Sequence, residues 1–149
     1  MTQDEVLALL DKMLPQGGSG TVLLATCDGE RPRVRAMASV RDGLRFYIGT
    51  ARASQKVHDI AACASIEIVA LLPQPDGVGQ LRIAGKAVEV KGKALHDAWT
   101  RAKGYDVHFF MKGGLDDPGF YACTVEPDRA LLMLPGSMDE QELPLSWFG

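Results

Sequence analysis

Cysteine is scarce: Cys27, Cys63 and Cys123 are the three in 149 residues, far apart and without a CxxC pair. That excludes a disulfide framework and a structural zinc site, and leaves three small hydrophobes suited to a reducing cytoplasm. Histidine is equally sparse. His58, His96 and His108 show no metal-ligand spacing, so no metal centre is expected. Long hydrophobic runs are missing, hence no membrane span is expected. The opening MTQDEVLALL is acidic where a secretory leader would be basic, which again points to the cytoplasm. Surplus positive charge is missing too, since 16 Lys and Arg stand against 19 Asp and Glu, a net charge of −3. A general field attracting nucleic acid or an anionic bilayer is thereby excluded, and any bound anion must be held by a local site. No P-loop glycine–lysine run and no Rossmann glycine pattern occurs. With no repeat, linker or low-complexity tract either, one domain spanning 1–149 is expected.

What is there is strand. Apolar residues make up 46% of the chain, enough for a sizeable core. Thr2 with Glu5 forms a capping box opening a helix over 1–14, with Val6, Leu7, Leu10, Met13 and Leu14 on one face, ended by Pro15 and the loose QGGSG. Thr21–Cys27 is a β-rich apolar run, and Arg33–Arg41 and Leu44–Thr50 alternate; Asp28-Gly29 and Asp42-Gly43, the pairs that favour hairpins, separate the three. A short helix begins near Ser54, with Val57, Ile60 and Ala61 inward. Ser65–Leu72 is the next strand, PQPDGVG a loop, and Gln80–Val90 a long strand with a bend or bulge at Gly85. Lys93–Lys103 reads as helix and Val107–Met111 as a short helix or turn. Phe120–Val125 and Arg129–Leu134 are two further strands, followed by a polar tail, 136–149, that ends in Trp147 and Phe148. Short strands joined by tight turns predict a mainly β antiparallel barrel with short helices.

One strand carries an oddity. Arg33 and Arg35 lie on the same face of PRVRAMAS. The neighbouring strand ends at Gly49-Thr50 and runs through Arg52 into Ser54-Gln55-Lys56, the first turn of a helix. A helix N-terminus offers unpaired N–H groups and partial positive charge, so basic residues there are unfavourable unless an anion is present. Thr50 and Ser54 add hydroxyls, and the Arg35 fork fits two phosphate oxygens. These residues make a phosphate clamp. The other reading has Ser54 as an ordinary N-cap and the basic residues as solvated surface charges.

The run PRVRAM, Asp-Gly, FYIGT…SQKV resembles the FMN-binding split-barrel family typified by pyridoxamine 5′-phosphate oxidase. The family pattern of an arginine strand, a strand ending in Thr and a helix opening Ser-x-Lys falls on Arg35, Thr50, Ser54 and Lys56. QLRIAGKAVEV resembles the family's long strand, with Gln80 ahead of its R-x-x-G. The resemblance implies a split antiparallel barrel in which Arg35 and Lys56 hold the FMN phosphate. Thr50, beside Gly49, and Ser54 would donate to it, with Gln55 close by. The Ala36 and Met37 backbone would lie along the isoalloxazine, and Gln80 would reach its polar atoms. It also implies a homodimer with flavin between the subunits and flavin-dependent redox chemistry on a small molecule. Arg33 either assists or pairs with an acid.

The likeness has limits. The C-terminal region has no histidine and no Arg-x-His, the arrangement with which pyridoxamine phosphate oxidase proper recognises its substrate, so vitamin B6 oxidation is not expected. Ala36 stands where many relatives have proline. Trp99, Tyr105, Phe109 and Trp147 are candidates either for packing or for stacking on a flavin, with Trp147 reaching a dimer cleft if the tail crosses to the partner. Other readings are a flavin-binding sensor or carrier without turnover, and a barrel adapted to a deazaflavin or to haem, which would want an axial His, Cys or Tyr, with His58 and His108 among the candidates.

Overall fold

The computed structural model describes residues 1–14, 20–75 and 77–149; Pro15, most of QGGSG and Asp76 of PQPDGVG lie outside the described residues. Helix α1 (Gln3–Met13) has the expected capping box, with Asp4 and Glu5 in its first turn and Lys12 in its last, as the helix dipole favours. Strands β1 (Gly20–Cys27), β2 (Pro32–Asp42) and β3 (Arg45–Ala51) precede α2 (Gln55–Ala62). Then come β4 (Ser65–Gln74), β5 (Gly77–Glu89), α3 (Gly92–Arg101), β6 (Phe120–Met133) and a short β7 (Glu140–Glu142). The strand order β3-β2-β1-β4-β5-β6, with β3 also paired to β6, closes a six-stranded antiparallel barrel.

Alternation makes the core. Val22 and Leu24 of β1, Ile66 and Ile68 of β4, Leu81 and Ile83 of β5, and Ala130 and Leu132 of β6 point inward, and Val6 and Leu10 of α1 plug one end. A second core lies outside the barrel, where Leu95, Ala98 and Trp99 of α3 pack on Val40, Tyr47, Phe120 and Ala122. Each Asp-Gly turn places its glycine at positive φ, 102° at Gly29 and 59° at Gly43, where side chains are disfavoured.

Three expectations about the elements are corrected. The two strands expected over 120–134 are one strand, because Pro127-Asp128 is a bulge. Gly85 faces Pro127 while Ala84 faces Arg129, leaving Asp128 as the extra residue. A Cβ on Gly85 would fall 2.0 Å from the Glu126 carbonyl oxygen, so only glycine lets the strands approach here. PQPDGVG is not a free loop: β4 and β5 pair as far as Gln74 with Gly77. On α2 the inward positions are Val57, Asp59 and Ile60, with Ala61 exposed.

The barrel is split between β2 and β3. They pair only over Ser39–Asp42 with Arg45–Ile48. Beyond that point β2 stays on β1 while β3 turns to β6, pairing Thr50 with Tyr121. The divergence opens a cleft, and α2 begins at its edge. No described helix is long and apolar enough to cross a membrane.

Candidate functional site

At the split, the cluster starts with Lys56. Its ammonium donates to the Thr50 hydroxyl at 3.1 Å. Burial foremost, and then repulsion from Arg35, pulls the lysine below its usual pKa, so two cations face one another here. Beside them the Ser54 hydroxyl oxygen is buried and has no hydrogen-bond partner. Ser54 has the extended backbone of an N-cap yet makes no capping bond, and the first turn of α2 holds no acid. Both features depart from α1. The end of α2 therefore presents amides, an orphan hydroxyl and an ammonium, and its first turn supplies no acid to answer them.

The arginines are engaged differently. Arg35 donates from Nη1 to the Thr26 hydroxyl at 2.7 Å and to the Leu24 carbonyl at 3.3 Å, and from Nη2 to Asp59 Oδ2 at 3.4 Å. Arg33 pairs through Nη2 with Asp28 at 2.8 Å and through Nε with Asp59 at 3.4 Å. Arg33 thus pairs with acids. Arg52 turns away from the cluster, onto Glu89 and the Pro118 and Phe120 carbonyls.

Asp59 and Thr26 were not singled out in the sequence, and they organise this site. Asp59 is 1% exposed and accepts from Thr26 Oγ1 and Gln55 Nε2, each at 2.9 Å. The available signal was helical spacing, since Gln55, Lys56 and Asp59 stand at i, i+1 and i+4 of one short helix. The Gln55 hydrogen bond foremost, with those of Thr26 and the arginine charges, holds the Asp59 carboxyl below the usual carboxylate range against the opposing effect of burial. A depressed folded-state pKa means the contribution to stability is present above the unfolded carboxylate value, about 3.9, and is lost as pH falls through the folded value. Asp59→Asn is therefore expected to lower the urea midpoint at pH 7, and the gap to wild type should narrow towards pH 3. A constant gap would show that ionisation of Asp59 contributes nothing.

Beyond Thr50 the cleft becomes apolar, a cavity of about 490 Å³ lined by Ala38, Gly49, Thr50, Ala51, Tyr105, Phe109 and Phe110. Phe109 is 80% exposed. Its ring lies 4.8 Å from Phe110 and 6.1 Å from Tyr105, centroid to centroid, and Phe110 continues to Phe120 at 5.9 Å. Phe110 is an addition to the aromatics named from sequence. Trp99 is buried behind this wall, donating to the Tyr105 carbonyl at 2.8 Å. Trp147 lies elsewhere: the tail folds back on its own chain, with Gln3 donating to the Trp147 carbonyl and Phe148 in the barrel core.

A family model matches most of the chain that builds this split barrel. The model described as pyridoxamine 5′-phosphate oxidase covers residues 3–133. The chain belongs to the pyridoxamine 5′-phosphate oxidase family. Among solved structures, a putative pyridoxamine 5′-phosphate oxidase from Listeria innocua superposes with a TM-score of 0.65 at 20% identity, over 88% of this chain and 97% of that one. A heme binding protein from Mycobacterium smegmatis gives 0.75 at 16% identity, over 99% of this chain and 60% of that one. HutZ, the heme storage protein of Vibrio cholerae, gives 0.63 at 14%, over 90% and 94%. At these identities the likeness establishes fold. Curated proteins give no match.

The remaining residues singled out in the sequence fall as follows on this split barrel of the oxidase family. Ala36 is exposed on the outer face of β2, and Met37 packs towards the core. Gly49 and Thr50 line the cleft, while Gln55 bonds to Asp59. Gln80 is not brought to the cluster. It lies on β5, with β1 and β4 intervening before β2, and alternates with the fully buried Leu81.

Proposed function

We propose that this protein is a cytoplasmic FMN-binding oxidoreductase, one split-barrel unit per chain, working as a homodimer on a small molecule. The observation that carries the reading is the Ser54 hydroxyl, buried without a partner at the acid-free start of the helix that also carries Lys56, whose charge Arg35 opposes. A phosphate monoester answers all of these donors at once. Lys56, Thr50 and Ser54 would hold it, with Arg35 contributing the N–H groups that Thr26, Leu24 and Asp59 leave free. The aromatic slot beyond Thr50 suits a flat ring system. A bound flavin would supply the electron-transfer chemistry; the chain's part is to anchor the phosphate, orient the ring and exclude water.

Dimerisation is supported by the outer sheet face, where Val34, Leu71 and Val78 are 63%, 43% and 57% exposed. Gln80 lies on that side of β5, so its contact with a flavin would be made across the interface, in the partner's cleft.

Haem is the second reading, favoured by the likeness to the two heme proteins. The cleft itself argues against histidine ligation. His58 is exposed on α2, and His108 is paired with Asp106 at 2.6 Å, neither being among the cleft-lining residues. Tyr105 is the lining residue able to ligate iron. Titrating the apoprotein with FMN and with haemin decides the matter. Stoichiometric flavin uptake by a species of twice 16.1 kDa is the expected result. A Soret band with haemin and no flavin uptake would overturn it. Reduction of bound flavin by NADH or NADPH, and reoxidation by a substrate, separates an enzyme from a carrier.

A further inference from the structure

Asp59 is the buried carboxylate among the described residues, and it sits beside a site read here as anionic in preference. Arg33 and Arg35 both reach its Oδ2, each at 3.4 Å, while the second carboxylate, Asp28, takes the other end of Arg33 at 2.8 Å. Three cations, Arg33, Arg35 and Lys56, thus face two carboxylates, leaving one surplus positive charge, on Lys56. A phosphate monoester brings between about 1.5 and 2 negative charges at pH 7. A clamp built for the tightest grip would not place a carboxylate on its own arginine. Gln55, which starts the helix that must meet the phosphate, is also tied to Asp59, at 2.9 Å.

We infer that Asp59 restrains the clamp: it withholds part of the Arg35 guanidinium from the phosphate and sets the site to hold its flavin reversibly. This rests on the FMN reading above. The ligand is then an exchangeable flavin nucleotide that enters and leaves, and the grip is adjusted through the sharing of Asp59 between two arginines. Arg33 acts through Asp59, since without Arg33 that shared carboxylate is left to Arg35.

The test is a set of flavin titrations on the full chain. Asp59→Asn should tighten FMN at least fivefold, with slower release, and leave riboflavin within twofold because riboflavin has no phosphate. Weaker or unchanged FMN binding would overturn the inference. Arg33→Gln, an exposed change that does not depend on the folding of the first variant, should weaken FMN severalfold, and that loss should vanish in the Arg33→Gln, Asp59→Asn double variant. A loss that persists in the double variant means Arg33 touches the phosphate itself, which also overturns it. Inorganic phosphate, followed through the NMR shifts of the Ser54, Gln55 and Lys56 amides, separates the two readings. If no variant takes up flavin but phosphate binds more strongly to Asp59→Asn, the FMN reading fails and the restraint stands. Phosphate bound no more strongly removes the restraint.

Discussion

Lys56→Ala is expected to weaken FMN binding by between about 10-fold and 100-fold and to leave riboflavin binding unchanged. The magnitude follows from losing one charge-assisted hydrogen bond, about 1.5–3 kcal/mol, at about 1.4 kcal/mol per tenfold. The selectivity follows from position: Lys56 lies at the Thr50 edge of the cleft and is absent from its apolar lining. Stability should respond in the opposite sense. Lys56 stands in the first turn of α2 against the helix dipole, with burial and Arg35 both disfavouring its charge. Removing it should hold or slightly raise the melting temperature, as at sites where function is kept at the expense of stability. Paired titrations and a thermal melt check both halves. Equal losses on FMN and riboflavin, or a lowered melting temperature, would show that Lys56 is structural.

How far this site was legible in the sequence depended on which residues answer to local rules. Strands β1 to β5 follow from alternation and Asp-Gly turns, both properties of neighbours along the chain. The hydroxyls and Lys56 were legible because a helix start is a local signal. The fate of the arginines was not, because it depends on how α2 is rotated against β1. A face of Val57, Ile60 and Ala61 is what hydrophobicity alone would choose. The helix instead buries Asp59, which two guanidinium groups and Thr26 compensate. Pro127-Asp128 was hidden for a similar reason. In sequence it reads as a break, and it is tolerated mid-strand because Gly85 on the partner strand lets the backbones close in.

The two tryptophans show the same limit and give the second large effect. Nothing along the chain separates Trp99 in a helix from Trp147 in a tail, yet only Trp99 supports the cleft. It is 5% exposed, stands edge-on to Tyr105 at 5.4 Å and to Phe120 at 6.0 Å, and holds the Tyr105 carbonyl. Gly104 is small because of it, since a Cβ would come within 2.4 Å of the indole; at Gly49 the nearer obstacle is Phe120, at 2.6 Å. Trp99→Ala should cost about 3–5 kcal/mol, the range for emptying a buried aromatic site. For a chain of this length that is a fall of about 6–20 °C in melting temperature. Trp147→Ala, outside the cleft lining and beside Gln3, should cost about 1 kcal/mol. The functional signature should also be the reverse of that at Lys56. Loss of Trp99 lets the Tyr105–Phe109–Phe110 wall settle into the vacated space, so FMN and riboflavin should weaken together, by the same factor. Trp99→Phe should recover most of the stability by refilling the core, while leaving the Tyr105 carbonyl without its donor. If Trp99→Ala weakened FMN and spared riboflavin, the aromatic cleft would not be where the ring binds, and the phosphate clamp would have to serve a ligand lying outside the split.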